Sequence, residues 1–426
     1  MKSVSLASTR HLSGTPKPGL LDGMARRLVL GQLEKLTTGQ LLMQLEGQEL
    51  VFGGQGGTQD LSATIRVLDP RFFSELAYGG SIGAGEAWMQ GFWRCDDLVT
   101  LVRLMLRNRD VLDGMEAGMA RFTAPLQKLF AWANRNTREG ARRNISAHYD
   151  LGNEFFSLWL DPSMMYSSAV FKSAGMGLNE AQLVRLDHIC SKLQLGQNDH
   201  VMEIGTGWGG FAIHAAKHYG CRVTSTTISR EQFELATQRV KQAGLQDRIT
   251  LLLNDFRDLE GQYDKLVSIE MIEAIGSSLY PAFFQKCGSL LKPGGLMLLQ
   301  AITIADQRYE ESQKSIDFIQ RYIFPGSCLP SAQVMTDTVA KLTRLRLLDL
   351  EDIGLHYATT LRHWRDNFFA QIDRIRQLGY PEAFIRMWEY YLCYCEGAFL
   401  ERAISDVQIV FCGPDFRARW ARQVAQ

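Results

Sequence analysis

The spacing of apolar residues changes period along the chain, and those changes divide it. Up to about Pro18 the composition is rich in Ser, Thr, Gly and Pro and predicts no packed element; a helix is expected to follow. Residues 42–68 then alternate in short runs, Leu42-Met43-Gln44-Leu45-Glu46 and Ala63-Thr64-Ile65-Arg66-Val67, on either side of Gly53-Gly54-Gln55-Gly56-Gly57. That pattern predicts strands joined by a hairpin loop. Residues 71–108 return to a helical period with a glycine break at Gly79-Gly80, and Gly83-Ala84-Gly85-Glu86-Ala87-Trp88-Met89 places small residues where helices can approach closely. Polar and basic residues at 132–144 predict a linker. The division is therefore an α+β unit over 1–130, a linker over 131–143 and a second domain over 144–426.

In that second domain strands alternate with helices of ten or more residues, the signature of βαβ units on a parallel sheet. The expected strands are 200–204, 222–226, 249–253, 265–269 and 295–300, with helices at 183–195 and 230–243 between them. From Cys328 onward the pattern is helical again, and the apolar run Val407-Gln408-Ile409-Val410-Phe411 is expected as an edge strand. There is no internal repeat. The fold class is α/β, a Rossmann-like sheet with a smaller N-terminal α+β domain.

Composition narrows the function classes. The 426 residues are enough for two or three domains. Lys plus Arg number 46 and Asp plus Glu number 46, so a zero formal charge argues against a nucleic-acid binder. The longest apolar stretches, such as 294–305, fall short of the roughly 20 residues that cross a bilayer. The first residues carry Lys2 and Arg10 without an apolar segment, so no secretory signal is read and a cytoplasmic protein is expected. Eight cysteines show no paired spacing for zinc and read as reduced, mostly buried thiols. No metal is implied.

The chemistry is carried by Val201-Met202-Glu203-Ile204-Gly205-Thr206-Gly207-Trp208-Gly209-Gly210, a strand running into a glycine turn that opens a helix. Glycines let the backbone approach a ligand, and the helix start offers unpaired N–H donors. Three details favour S-adenosylmethionine over other nucleotides: Glu203 near the end of the first strand, the G-x-G-x-G spacing, and Leu291-Lys292-Pro293-Gly294-Gly295 ahead of an apolar strand.

These stretches resemble the cyclopropane-fatty-acid synthase family of S-adenosylmethionine-dependent methyltransferases, and the resemblance covers nearly the whole chain. It rests also on Asp69-Pro70-Arg71-Phe72-Phe73, on Gly83 to Met89, and on His148-Tyr149-Asp150-Leu151-Gly152-Asn153-Glu154-Phe155-Phe156. Met165-Tyr166-Ser167-Ser168-Ala169, Thr227-Ile228-Ser229-Arg230-Glu231-Gln232, Arg321-Tyr322-Ile323-Phe324-Pro325-Gly326 and Tyr390-Tyr391-Leu392 complete it. The implied cofactor pocket comprises Tyr166, Gly205, Gly207, Thr227, Gln232, Asp255 and Phe256, with Glu203 beside them. The second strand ends in hydroxyls, Ser225-Thr226-Thr227, where related folds place an acid for the ribose, so Gln232 is expected to substitute for it.

The implied reaction is attack of an acyl-chain alkene on the activated sulfonium methyl in a dry slot. Aromatic faces shelter the cation that results, and Tyr149, Phe171, Phe318, Tyr322, Tyr357 and Phe399 are the candidates. The family holds a bicarbonate ion beside the slot as proton acceptor, using Cys, Glu, His and Tyr. Here Glu273 and Tyr357 stand where expected, whereas the Cys position is Ser168 and the His position is Gln300. Both replacements donate hydrogen bonds, so an anion can remain; alternatively the carboxylate of Glu273, or the extra Glu270, acts as base. Loss of the proton from the transferred methyl gives a cyclopropane, the default; loss from a chain carbon gives a methyl-branched or methylene chain. Methylation of a small polar metabolite and non-catalytic lipid binding are the competing readings.

Unsaturated phospholipid acyl chains are the implied substrate, reached by peripheral contact with the inner face of the membrane. The N-terminal domain and the basic stretch 135–143 are the candidate docking surfaces. A homodimer is left open.

Overall fold

A computed structural model describes residues 20–54, 61–118 and 151–417. The expected linker, the basic stretch 135–143 and Tyr149 lie outside the described residues. No helix among the described residues is long and apolar enough to cross a membrane.

The N-terminal unit opens with the helix Leu20–Leu33 and builds a four-stranded sheet from β1 (Gln40–Leu45), β2 (Gln48–Gly53), β3 (Ser62–Val67) and β4 (Trp93–Cys95), in the order β2-β1-β3-β4. Leu41, Met43 and Leu45 alternate inward and bury one face with Ala63 and Ile65. The pairing corrects the expected hairpin. Glu46 and Gly47, at φ +52° and +79°, turn β1 back onto β2. The quoted runs of β1 and β3 instead pair in parallel, Leu41 opposite Ala63, with β2 between them in sequence; Gln55, Gly56 and Gly57 lie outside the described residues.

The helix Arg71–Gln90 kinks at Gly80, whose φ of 56° and ψ of −135° are open only to glycine. Beyond the kink, a Cβ at Gly85 would lie 2.4 Å from the Phe318 ring. The expected close approach is thus with the second domain. The helix Leu98–Arg107 joins that contact: Arg103 and Arg107 grip Glu401 at 2.7 and 2.8 Å.

The second domain is a seven-stranded sheet of β5 (His200–Ile204), β6 (Arg222–Thr226), β7 (Ile249–Leu252), β8 (Tyr263–Ile269), β9 (Leu291–Ile304), β10 (Arg346–Asp352) and β11 (Ile404–Cys412). The strand order is β10-β11-β9-β8-β5-β6-β7. The five strands from β5 to β9 run parallel; β11 runs against both of its neighbours, β9 and β10. Val407 to Phe411 therefore form an interior strand rather than an edge. The edge is β10, missed because Leu347, Leu348 and Leu350 are exposed, which breaks the alternation that marks a half-buried strand. β9 extends through Pro293-Gly294-Gly295, where a register shift against β8 absorbs the turn residues.

Sheet order places β5 between β6 on one side and β8 on the other, so the chain leaves β5 in one direction and later returns to its opposite edge. That reversal opens a crevice beyond the carboxyl ends of the strands. An aromatic cluster of Phe155, Phe156, Trp159, Trp364 and Trp388, all at most 1% exposed, is buried behind Tyr166 and Tyr391, which line that crevice.

Candidate active site

The crevice is a cavity of about 780 Å³ whose lining runs from the glycine turn to the N-terminal unit. After β5 the backbone passes through Gly205, Gly207 and Gly209 at φ of 105°, 51° and 83° before the helix Gly210–Tyr219 begins. The Gly205 and Thr206 N–H groups donate to the Thr226 carbonyl, which ties the turn to β6. A Cβ on Gly205 would sit 3.2 Å from Met271, whereas nothing lies within 4 Å of the corresponding point on Gly207. That bare stretch of backbone faces a helix N-terminus and is a cradle for a polar ligand. Arg239 holds the opposing loop over it by donating to the carbonyls of Trp208, Ser163 and Pro162 at 2.7, 3.1 and 3.0 Å.

All eight residues expected to hold the cofactor lie on this cavity wall. Glu203 accepts a 2.5 Å hydrogen bond from Ser225, which also meets Thr206 at 2.7 Å. Burial pushes the Glu203 carboxyl up to about 8. Thr227 donates to Gln232 Oε1 at 2.9 Å, so the hydroxyl and the amide act as one polar unit. Asp255 is fixed by Arg257 through bonds of 2.8 and 2.6 Å, beside Phe256. Tyr166 meets the Tyr391 hydroxyl at 2.9 Å. A glycine cradle, hydroxyls, an amide, carboxylates and an aromatic ring fit the polar parts and the adenine of S-adenosylmethionine.

The other half of the cavity is floored by acids. Glu270 follows β8 at φ +48°, a strained conformation for a side chain of this kind, held by its N–H on the Gln300 carbonyl at 2.8 Å. Its residual accessible surface lies on the cavity wall. The Ser168 backbone N–H and Gln300 Nε2 donate to its Oε1 at 2.8 and 2.7 Å, and the Tyr357 hydroxyl donates to its Oε2 at 2.8 Å. Gln300 also donates to Asp406 at 3.0 Å. Behind them lies Arg185, fully buried, bonded through Nη2 to Gln182 and presenting its charge to Glu270, Asp161 and Asp406. Glu273 accepts the Ile302 N–H at 2.5 Å, while its second oxygen has no hydrogen-bond partner. Burial first, and the Glu270 charge second, push Glu273 up to about 8. Burial likewise raises Glu270 and, well above its ordinary value, Asp406.

Glu273 and Tyr357 line the cavity; Ser168 and Gln300 do not. The Ser168 hydroxyl donates to the Ala169 carbonyl at 3.1 Å, and it is the backbone of this residue that reaches the site. Of the aromatics expected around the slot, Tyr357 and Phe399 line it, stacked at 4.5 Å. Phe318 packs beneath Gly85 and Tyr390, Tyr322 bonds Glu86, and Phe171 stacks on His363 at a surface recess. Tyr391 and Phe324 take their places; both stand in the quoted motifs but carried no separate signal there. Arg185 and Asp406 had none.

The mouth carries charge. Gly79, Gly80, Ser81, Ile82, Leu106, Arg109 and Asp113 come from the N-terminal unit, and Arg308, Glu311 and Lys314 lie across from them. Arg109 makes no hydrogen bond or ion pair with any described residue and stands within the fields of Arg308, Asp113 and Glu311.

A sequence profile described as mycolic acid cyclopropane synthetase matches residues 136–409. The chain is 40% identical over 327 residues to a tuberculostearic acid methyltransferase of Mycobacterium tuberculosis, covering 75% of this chain and 76% of that protein. It is 38% identical over 352 residues to the cyclopropane-fatty-acyl-phospholipid synthase of Escherichia coli K12, covering 82% and 87%. The solved mycolic acid cyclopropane synthase CmaA1, complexed with SAH and CTAB, is similar at a TM-score of 0.59 and 30% identity over 64% of this chain and 98% of that one.

Proposed function

This chain belongs to the mycolic acid cyclopropane synthetase family, and from that membership we propose that it methylates the double bond of unsaturated acyl chains in membrane phospholipids, closing a cyclopropane. It is an S-adenosylmethionine-dependent methyltransferase of lipid acyl chains. The observation that carries the finer reading is a single cavity that runs from the glycine cradle, past an aromatic wall, to an acid floor.

S-adenosylmethionine, when bound, supplies a methyl group already activated by positively charged sulfur. The residues of this chain do the rest. Gly205, Gly207 and Thr206 present backbone to the cofactor, Gln232 with Thr227 and Asp255 offer polar partners to its hydroxyls, and Tyr166 closes the far side. Tyr357, Phe399 and Leu361 exclude water from the alkene, and the stacked pair turns aromatic surface toward a cation on the chain. Transfer to a polar metabolite would want polar groups where these apolar walls stand.

Two features support a phospholipid. The Escherichia coli relative is named for that substrate. At the mouth Arg109 stands within the fields of Arg308, Asp113 and Glu311, and Arg308 is paired with Glu311 at 3.3 Å, so Arg109 is the cation offered to a phosphate there. A mid-chain double bond must leave the bilayer to reach the floor, so the rim is expected to rest on the membrane surface. The test is transfer of labelled methyl from S-adenosylmethionine to vesicles of monounsaturated phospholipid, compared with the free acid in detergent. Label in the acyl chains of the vesicles is the expected result; label in the free acid alone contradicts the phospholipid assignment.

A further inference from the structure

The place expected for a bicarbonate ion is already filled. Of the four positions assigned to hold it, three are turned on one carboxylate of the protein: the Ser168 N–H, Gln300 Nε2 and the Tyr357 hydroxyl all donate to Glu270. The fourth, Glu273, spends one oxygen on the Ile302 N–H. Hydrogen-bond donors that surround a planar, singly charged CO₂ group cannot also surround a second one, and a second anion would face the charge of Glu270 at contact distance. The residues present therefore do not fit an added anion.

We propose that Glu270 replaces that anion as a tethered base, so that turnover needs no bicarbonate. The inference rests on the acyl-methylation reading above. Three observations converge on it. Glu270 lines the cavity rather than standing behind it. Its backbone is held at φ +48°, which aims a side chain from the end of β8 to a point where an ordinary residue would not place it. Arg185, fully buried, supplies the countercharge, with Nε and Nη1 free of hydrogen-bond partners.

The step balances without a further reactant. The alkene π pair bonds the incoming methyl carbon as the bond from that carbon to sulfur breaks, its pair leaving on sulfur; the neighbouring chain carbon becomes the cation. A C–H bond of the transferred methyl then breaks, its pair closes the third side of the ring, and the proton goes to a Glu270 oxygen. Tyr357 and Gln300 keep that carboxylate turned toward the cation.

The test uses the full chain with monounsaturated phospholipid vesicles and labelled cofactor, in buffer stripped of carbon dioxide and again with added bicarbonate. Wild-type turnover is expected to agree between the two conditions within about twofold, whereas Glu270→Gln loses ring product by about 100-fold or more, the scale of a positioned base, while S-adenosylhomocysteine affinity stays unchanged by calorimetry. Glu270→Gly vacates the place, so added bicarbonate or formate is expected to restore at least about tenfold of its lost turnover, a mark that a merely structural residue would not leave. Wild-type turnover that collapses on stripping and returns with bicarbonate overturns the proposal, as does ring formation that survives Glu270→Gln. Wild-type protein that labels no acyl chain in either buffer sinks the acyl-methylation reading itself, a separate outcome.

Discussion

The two halves of the cavity hold their groups by opposite means. On the β5–β7 side the wall is mostly backbone and uncharged polar groups, glycines at positive φ, hydroxyls and one amide, while the carboxyls of Glu203 and Asp255 are each held by a near neighbour, Ser225 and Arg257. On the side of β8, β9 and β11, carboxyl groups from Glu270, Asp406 and Asp161 face one buried guanidinium, with Glu273 beside Glu270, drawn from segments far apart in sequence. The first arrangement tolerates water and suits a soluble polar cofactor. The second is stable only because its charges offset each other inside a low-dielectric enclosure, which is also what a proton acceptor for a carbocation needs.

The contrast is broken most severely by removing the cation. Arg185→Met is expected to destabilise the fold by about 3–5 kcal/mol, since Glu270 and Asp406 are left without a countercharge; denaturant unfolding reads it, and a loss below about 1 kcal/mol would mean that the acids are neutral in the native state. Tyr357→Phe separates chemistry from binding: turnover falls about 10- to 100-fold through the lost hydrogen bond on Glu270, while S-adenosylhomocysteine affinity is unchanged. Gly205→Ala gives the reverse split. Its φ of 105° and the Met271 contact at 3.2 Å cost cofactor affinity about tenfold, a larger loss than that in turnover at saturating cofactor.

Proton linkage sharpens the comparison more gently. Glu203 and Glu273 are both pushed by burial from the ordinary carboxyl value of 4.5 up to about 8, so the folded state holds protons that the unfolded chain has released. Stability is therefore fully present below the unfolded value and falls as pH rises toward 8. Glu273→Gln is expected to flatten that decline, read as unfolding free energy across the same range; an unchanged slope contradicts the assignment. The smallest effect belongs to the mouth: Arg109→Met is expected to raise the KM for phospholipid vesicles about two- to threefold at low salt and to leave it unchanged at high salt.

Which half was legible in the sequence follows from the same contrast. β5 and β6 have the bounds that their apolar runs predict, because buried parallel strands flanked by glycine turns are read locally. The glycine cradle and the Thr227–Gln232 unit lie within single motifs, so proximity in sequence stands in for proximity in space. Sheet order is not local. β11 reads as a terminal strand until β10 pairs outside it, and β10 itself exposes the leucines that would have marked it. The acid floor depends on that order: Asp406 reaches Gln300 only because β11 lies beside β9. Arg185, on an ordinary helix Leu178–Lys192, looks like a solvated residue until the helix packs it inward. The sequence points to the Ser168 hydroxyl, whereas it is the Ser168 N–H that reaches Glu270.

Transfer of a deuterated methyl group tests the account most directly. Wild-type protein is given S-adenosylmethionine carrying a fully deuterated methyl and monounsaturated phospholipid vesicles, and the acyl chains are read by mass spectrometry and proton resonance. The expected product has a bridging carbon that keeps two of its deuterons, because Glu270 takes one from the transferred methyl as the ring closes. A chain that retains all three beside a double bond would place the base against a chain carbon instead, and an unlabelled chain would contradict the transfer altogether.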